Sequence, residues 1–258
     1  MLKGTARECA AEFFGMFLLI TFGLAVVAQT VLSGGTAGSF LSINLGFGLA
    51  VTIAVYASAG VSGAHLNPAV TLALAVHRKF PWRKVLPYTL AQTAGAFAGS
   101  IVVYLVYRDA LDAFDHGTRR IVGELGTAGI WATYPKDFLS LSGGILDQVV
   151  GTALLTAGLF ALIDKRNAAP PAYLTPLLVG ALVMLIGMTF GFNAGYAINP
   201  ARDFGPRLFT AVAGWGPGVF VAGHGWWWVP IVAPCAGGVL GGYVYDLMIT
   251  KHHPPEAA

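Results

Sequence analysis

Five stretches of this chain contain no Asp, Glu, Lys or Arg: residues 13–77, 85–107, 148–163, 167–201 and 208–245. Soluble domains are about 25% charged, and this chain is 10% charged and 56% hydrophobic. A helix that crosses a bilayer needs about 20 mostly apolar residues. The charge-free stretches therefore predict six spans, at about 9–31, 40–60, 84–107, 145–164, 173–191 and 228–249. Two apolar segments are left over, 61–77 and 192–212. Each is broken by Gly and Pro, and each is long enough for half a crossing only.

The leftover segments carry the same three residues, Asn67-Pro68-Ala69 and Asn199-Pro200-Ala201. They follow the second and fifth spans, so they hold equivalent places in two halves, about 7–107 and 145–249, joined by a connection at 108–144. The starts of the halves also align: Ala11-Glu12-Phe13-Phe14-Gly15 on Asp147-Gln148-Val149-Val150-Gly151. Three spans per half is an odd number, so the second half enters the membrane from the opposite face. Inverted repeats of this kind place their site on broken helices at mid-membrane. Lys and Arg in short loops set orientation. Nine lie on one side (Lys3, Arg7, Arg78, Lys79, Arg83, Lys84, Lys165, Arg166, Lys251) against Arg108, Arg119, Arg120 and Lys136 on the other. Both termini are then expected in the cytoplasm, with 108–144 outside. Trp215 and Trp226-Trp227-Trp228 read as an outer interfacial belt.

Asn is a preferred N-cap and Pro is favoured at the first helical position, so Asn-Pro is helix-start chemistry. Two such starts, reaching in from opposite faces, bring two positive helix ends to one point. A cation there is repelled and a neutral hydroxyl compound is not. Each Asn side-chain oxygen can cap free N–H groups while its NH₂ faces the lumen as a donor. The preceding backbone, Gly63-Ala64-His65-Leu66 and Gly195-Tyr196-Ala197-Ile198, is expected to run extended to mid-membrane. Irregular backbone at that depth is tolerated where it lines a cavity, so its carbonyls are expected to face a lumen. Arg202 follows Asn199 by about one turn, and an intramembrane Arg is by default functional. The alternative reading is a structural pair with Asp203. Glu12 and Gln148 read as buried struts that hold backbone amides of the broken segments.

Other functions find little support. No basic cluster is interleaved with aromatics, which argues against nucleic acid binding. No Ser/His/Asp set, metal-spaced His/Cys cluster or phosphate loop occurs, so neither enzyme, metal nor cofactor is expected. A coupled carrier would show titratable groups within its spans, where this chain has almost none. His65 reads as a loop-fixing residue. Cys9 and Cys235 read as small apolar residues and not as a disulfide. The N-terminal apolar run, too long for a leader, reads as the first span. Gly95/Gly99 and Gly237/Gly241 have the four-residue spacing of close helix packing, read as internal to one subunit.

The residues Ser62-Gly63-Ala64-His65-Leu66-Asn67-Pro68-Ala69-Val70, Asn199-Pro200-Ala201-Arg202-Asp203-Phe204-Gly205-Pro206 and Ala11-Glu12-Phe13 resemble the major intrinsic protein family, the aquaporins and glycerol facilitators. The resemblance covers nearly the whole chain. It implies one membrane channel domain over 1–258: all-α, with six transmembrane helices and two re-entrant half-helices around a pore, usually in a homotetramer in the plasma membrane. It also implies a selectivity filter of Phe47, Gly187, Tyr196 and Arg202, supported by Asp203. Water-selective members usually have His where this chain has Gly187, so a wider constriction is expected. Phe47 and Tyr196 would pack the carbons of a polyol while Arg202 binds its hydroxyls. Asp203, Arg207 and Pro230-Ile231 also resemble the glycerol branch. The implied substrates are glycerol and other small uncharged solutes, with some water and without ions or protons. A water-selective channel is the alternative.

Overall fold

The computed structural model describes residues 2–255. Six helices are long and apolar enough to cross a membrane, and no strand occurs among the described residues beyond an isolated bridge between Arg120 and Gly126. The chain order is α1 (Gly4–Leu32), α2 (Phe40–Ser62), α3 (Pro68–His77), α4 (Val85–Asp115), α5 (Leu141–Ile163), α6 (Thr175–Ala194), α7 (Pro200–Val212), a one-turn α8 (Ala222–Gly225) and α9 (Val229–Met248). The short helices α3 and α7 are the two half-crossings. Two long helices outrun their apolar stretches. α1 starts at Gly4, not near residue 9, and α4 continues past residue 107 to Asp115. Backbone hydrogen bonding does not stop where charge begins, so the connection between the halves is 116–140, shorter than expected.

The packing repeats between halves. α1 lies on α4 and α2, as α5 lies on α9 and α6, and α2 meets α6 where the halves join. Each half-helix also crosses over: α3 packs on α9 and α7 on α4. The paired glycines make these approaches possible. A Cβ on Gly95 would stand 2.2 Å from the Phe13 carbonyl oxygen, and one on Gly99 would stand 2.9 Å from that of Phe17. In the second half, Gly237 and Gly241 meet the carbonyl oxygens of Val149 and Ala153 in the same way, at 2.3 and 2.1 Å. The glycine spacing thus serves contacts inside one chain.

The tryptophans correct the sequence reading. Trp215 and Trp226 are buried, and of the group only Trp227 is well exposed. Trp215 packs against Trp131 and donates from Nε1 to Thr127 Oγ1 at 3.1 Å. Trp226 donates to Thr133 Oγ1 at 3.3 Å. Both therefore hold down the 116–140 connection, a role that needs the indole N–H as well as the apolar ring.

Overfilling a tight contact costs about 1–3 kcal/mol, and more when the neighbour is backbone. Gly95→Val and Gly241→Val should each lower the thermal midpoint of the detergent-solubilised protein by several degrees, at about 2–4 °C per kcal/mol for a chain of this size. Gly60→Ala, where the added carbon meets nothing within 4 Å, should leave it unchanged or higher. Equal shifts for all three would contradict this packing.

Candidate functional site

Both half-helices begin with the same cap. The Asn67 Oδ1 accepts from Ala69 N at 2.9 Å, and the Asn199 Oδ1 accepts from Ala201 N and Arg202 N at 3.1 and 3.2 Å. Pro68 and Pro200 occupy the first helical positions, where no N–H is needed. The amide nitrogens then cross between halves. Asn67 Nδ2 donates to the Ile198 carbonyl at 2.9 Å, and Asn199 Nδ2 donates to the Leu66 carbonyl at 2.7 Å. Each NH₂ keeps a second hydrogen. Of the eight backbone carbonyls expected to face the lumen, those of Leu66 and Ile198 are therefore engaged by asparagine.

The backbone before each Asn is not the extended run expected from sequence. Gly63 and Gly195 end their helices left-handed, at φ +87° and +75°. Ala64 and Leu66 are then both at φ +50°, with Tyr196 at +38° and Ile198 at +41°. A plain strand alternates its residues between two sides. A left-handed residue at every second position breaks that alternation. Accordingly Gly63, Ala64, His65, Leu66 and Asn67 all line one cavity, and Tyr196, Ala197, Ile198 and Asn199 all line another. Non-glycine residues held in this region cost roughly 1–3 kcal/mol each, so the segments need external support.

That support comes from the expected struts. Glu12 is fully buried. Its Oε1 accepts from His65 N (2.9 Å) and Ser62 Oγ (2.6 Å), and its Oε2 accepts from Leu66 N and Gln92 Nε2 (both 2.7 Å). Gln148 does the matching work with one oxygen, accepting from Ile198 N at 3.0 Å. Its amide donates to Asp147, which in turn accepts from Asn193. His65 stays in the fixing role: Nδ1 lies 3.1 Å from Thr71 Oγ1, and the ring packs between Phe80 and Tyr88.

Three cavities follow one another along the chain interior. An inner one of about 350 Å³ runs to Asn67 and Asn199. A central one of about 50 Å³ shares those two residues and ends at Phe47, Tyr196 and Arg202. An outer one of about 440 Å³ begins at the same three side chains. The central space holds no more than a few waters in file. Its polar wall is formed by the asparagines and the 196–198 backbone, and its apolar wall by Leu19, Val51, Leu155 and Val183.

Three of the four residues expected to form the filter meet at the narrow point. The Phe47 and Tyr196 rings stand edge to face, 6.2 Å apart, and the Arg202 guanidinium carbon lies 4.9 Å from the Phe47 ring centroid. Gly187 corrects the expectation of an open corner. It is buried behind Tyr196, and a Cβ there would fall 2.6 Å from Tyr196 Cζ. Its missing side chain is space that the tyrosine ring already fills.

Arg202 does not pair with Asp203. Its Nη1 donates to the Trp131 carbonyl at 2.9 Å. Asp203 faces the other way, accepting from Arg207 Nε (2.9 Å), Thr133 N (2.7 Å) and Thr133 Oγ1 (2.5 Å). Arg207 in turn donates to the carbonyls of Thr133 and Val219. This buried group anchors the 116–140 connection and delivers the Trp131 carbonyl to Arg202. Sequence reasoning missed Trp131, Thr133, Asp147 and Gln92. Gln92, a lone amide in a charge-free span, and Asp147, an acid inside the expected span 145–164, carried signals that could have found them.

The family profile described as "Major intrinsic protein" matches residues 2–245. Human Aquaporin-10 is 50% identical over 255 residues, covering 98% of this chain and 85% of that protein. Human Aquaporin-9 is 48% identical over 249 residues, covering 96% and 84%. The solved structure of the aquaglyceroporin from Plasmodium falciparum has a TM-score of 0.87 at 32% identity, covering 96% of this chain and 98% of that one. The chain belongs to the major intrinsic protein family.

The struts make a graded prediction. Glu12→Leu leaves the His65 and Leu66 amides buried without acceptors, at roughly 1–3 kcal/mol for each group, and should abolish monodisperse protein. Glu12→Gln keeps an acceptor, as Gln148 does in the other half, and should lower the midpoint by only a few degrees. Size-exclusion profiles and thermal scans of the two variants check this; indistinguishable behaviour would reject the strut role.

Proposed function

We propose that this protein is a passive channel for glycerol and other small uncharged solutes, with accompanying water and with exclusion of ions and protons. The observation that carries this reading is the amphipathic narrow point. An aromatic corner of Phe47 and Tyr196 faces the guanidinium of Arg202, and an apolar wall continues inward opposite the asparagines. A polyol has a hydrocarbon edge and a hydroxyl edge, and it can slide with one against each wall. Pore diameter, lining donors and a positive barrier together set selectivity in such pores. Arg202 and the two half-helix starts supply the barrier, and the central cavity gives the diameter. The names of Aquaporin-10, Aquaporin-9 and the Plasmodium aquaglyceroporin agree with this reading.

The filter is then Phe47, Tyr196 and Arg202, with Gly187 acting by making room for Tyr196. The chain is one channel domain, with both termini in the cytoplasm, in the plasma membrane. Four copies form the homotetramer, each with its own lumen.

Light-scattering assays on proteoliposomes test this reading. A glycerol gradient should drive rapid equilibration, and the flux should neither saturate nor follow a proton or sodium gradient. Gly187→His inserts a ring where Tyr196 now lies, so it should cut glycerol permeation by on the order of tenfold, the effect of ~1.4 kcal/mol on the barrier, and water permeation far less. Equal loss of both would reject the assigned constriction. Arg202→Val should raise permeation by charged solutes; unchanged ionic conductance would remove Arg202 from the filter.

A further inference from the structure

We propose that Asn44 is a positioning residue for the selectivity filter, acting through the hydroxyl of Tyr196. This rests on the reading of Phe47, Tyr196 and Arg202 as the constriction. Asn44 lies on α2 three residues before Phe47, on the same helical face, and is fully buried. Its Nδ2 donates to the Phe40 carbonyl at 2.9 Å, which fixes the amide with Oδ1 directed the other way. That oxygen points to Gly187: it lies 2.2 Å from where a Gly187 Cβ would stand, and Tyr196 Cζ lies 2.6 Å from the same point. The glycine leaves the two side chains facing each other with nothing between them.

Both polar atoms are buried, and neither Asn44 Oδ1 nor Tyr196 Oη has a hydrogen-bond partner among the described residues. One can only accept and the other can donate. Buried polar groups are paired in the great majority of proteins, and these two are complementary across the space that Gly187 leaves. A small tilt of the Tyr196 ring makes the bond. The ring is free to tilt in one plane only, because it lies along α6 against Gly187 and Gly191, whose added carbons would come within 2.8 Å of it. The hydroxyl is the ring atom farthest from the backbone. Tethered at Asn44, it keeps the ring back against α6; released, it lets the ring swing toward Arg202 and narrow the passage. A narrower passage obstructs a polyol before it obstructs water.

The test is a double-mutant cycle in proteoliposomes, reading glycerol and water permeability. Asn44→Leu and Tyr196→Phe should each lower the glycerol-to-water ratio by about threefold, the weight of one buried hydrogen bond. The double variant should fall no further than either single one. Phe47→Ala and Arg202→Val serve as controls on the constriction. If they move the ratio while Asn44→Leu and Tyr196→Phe do not, or if the two singles multiply in the double, the tether is wrong and the constriction stands. If the controls also leave the ratio unchanged, the constriction itself is wrong. Tyr196→Phe removes one oxygen and keeps the ring, so an unchanged ratio in that variant overturns the proposal even if Asn44→Leu fails to fold.

Discussion

Two asparagine side chains each reach into the opposite half of the molecule, and the lumen depends on that exchange. Asn67 caps α3 through its oxygen and holds the Ile198 carbonyl through its nitrogen; Asn199 caps α7 and holds the Leu66 carbonyl. No other side chain of this size presents an acceptor and two donors on one rigid plane. Aspartate would cap the helix but repel the carbonyl. Serine would be too short to reach it. The exchange also sets where the two positive helix ends meet, and so where a cation is opposed. Because the segments before each Asn are strained, with left-handed residues at 64, 66, 196 and 198, the cross-bonds and the struts behind them are what keep those backbones in a conformation they would not hold alone.

The halves solve the same support problem with different chemistry. The first uses a buried carboxylate that gathers four donors from three parts of the chain. The second uses a neutral amide, and passes the remaining hydrogen-bonding demand outward through Asp147 to Asn193 on α6. A carboxylate gives stronger, charge-assisted bonds but must be fully satisfied in a dry interior. The amide gives a weaker bond and needs less. The repeat therefore conserves geometry and polarity and not ionic character.

Much of this was legible in the chain. Charge-free stretches locate the six crossings, and the Gly- and Pro-broken remainders locate α3 and α7, because burial without water leaves few backbone solutions. Asn67, Asn199, Glu12, Gln148 and Arg202 stand out because a polar residue in such a stretch must have a partner. Three things were hidden. Helix ends were misjudged at Gly4 and Asp115 because hydropathy marks the membrane and not the hydrogen-bond ladder. Gly187 looked like an opening because a sequence shows what a residue lacks, not which neighbour fills the space. Trp131 was invisible because it contributes a backbone carbonyl, which every residue has; only the fold of the 116–140 connection brings that one to Arg202.

The reciprocal asparagine bonds also impose an order on assembly. When a nascent chain has reached only α4, Leu66 and Asn67 are complete but their partners at 198 and 199 do not yet exist. The first half-helix must then wait in the membrane with a carbonyl and an amide unmatched, a state with a standing energetic penalty. Its packing partner α9 is made later still. A conducting path therefore cannot form part-way through synthesis. The lumen closes around its lining only when the last helix arrives.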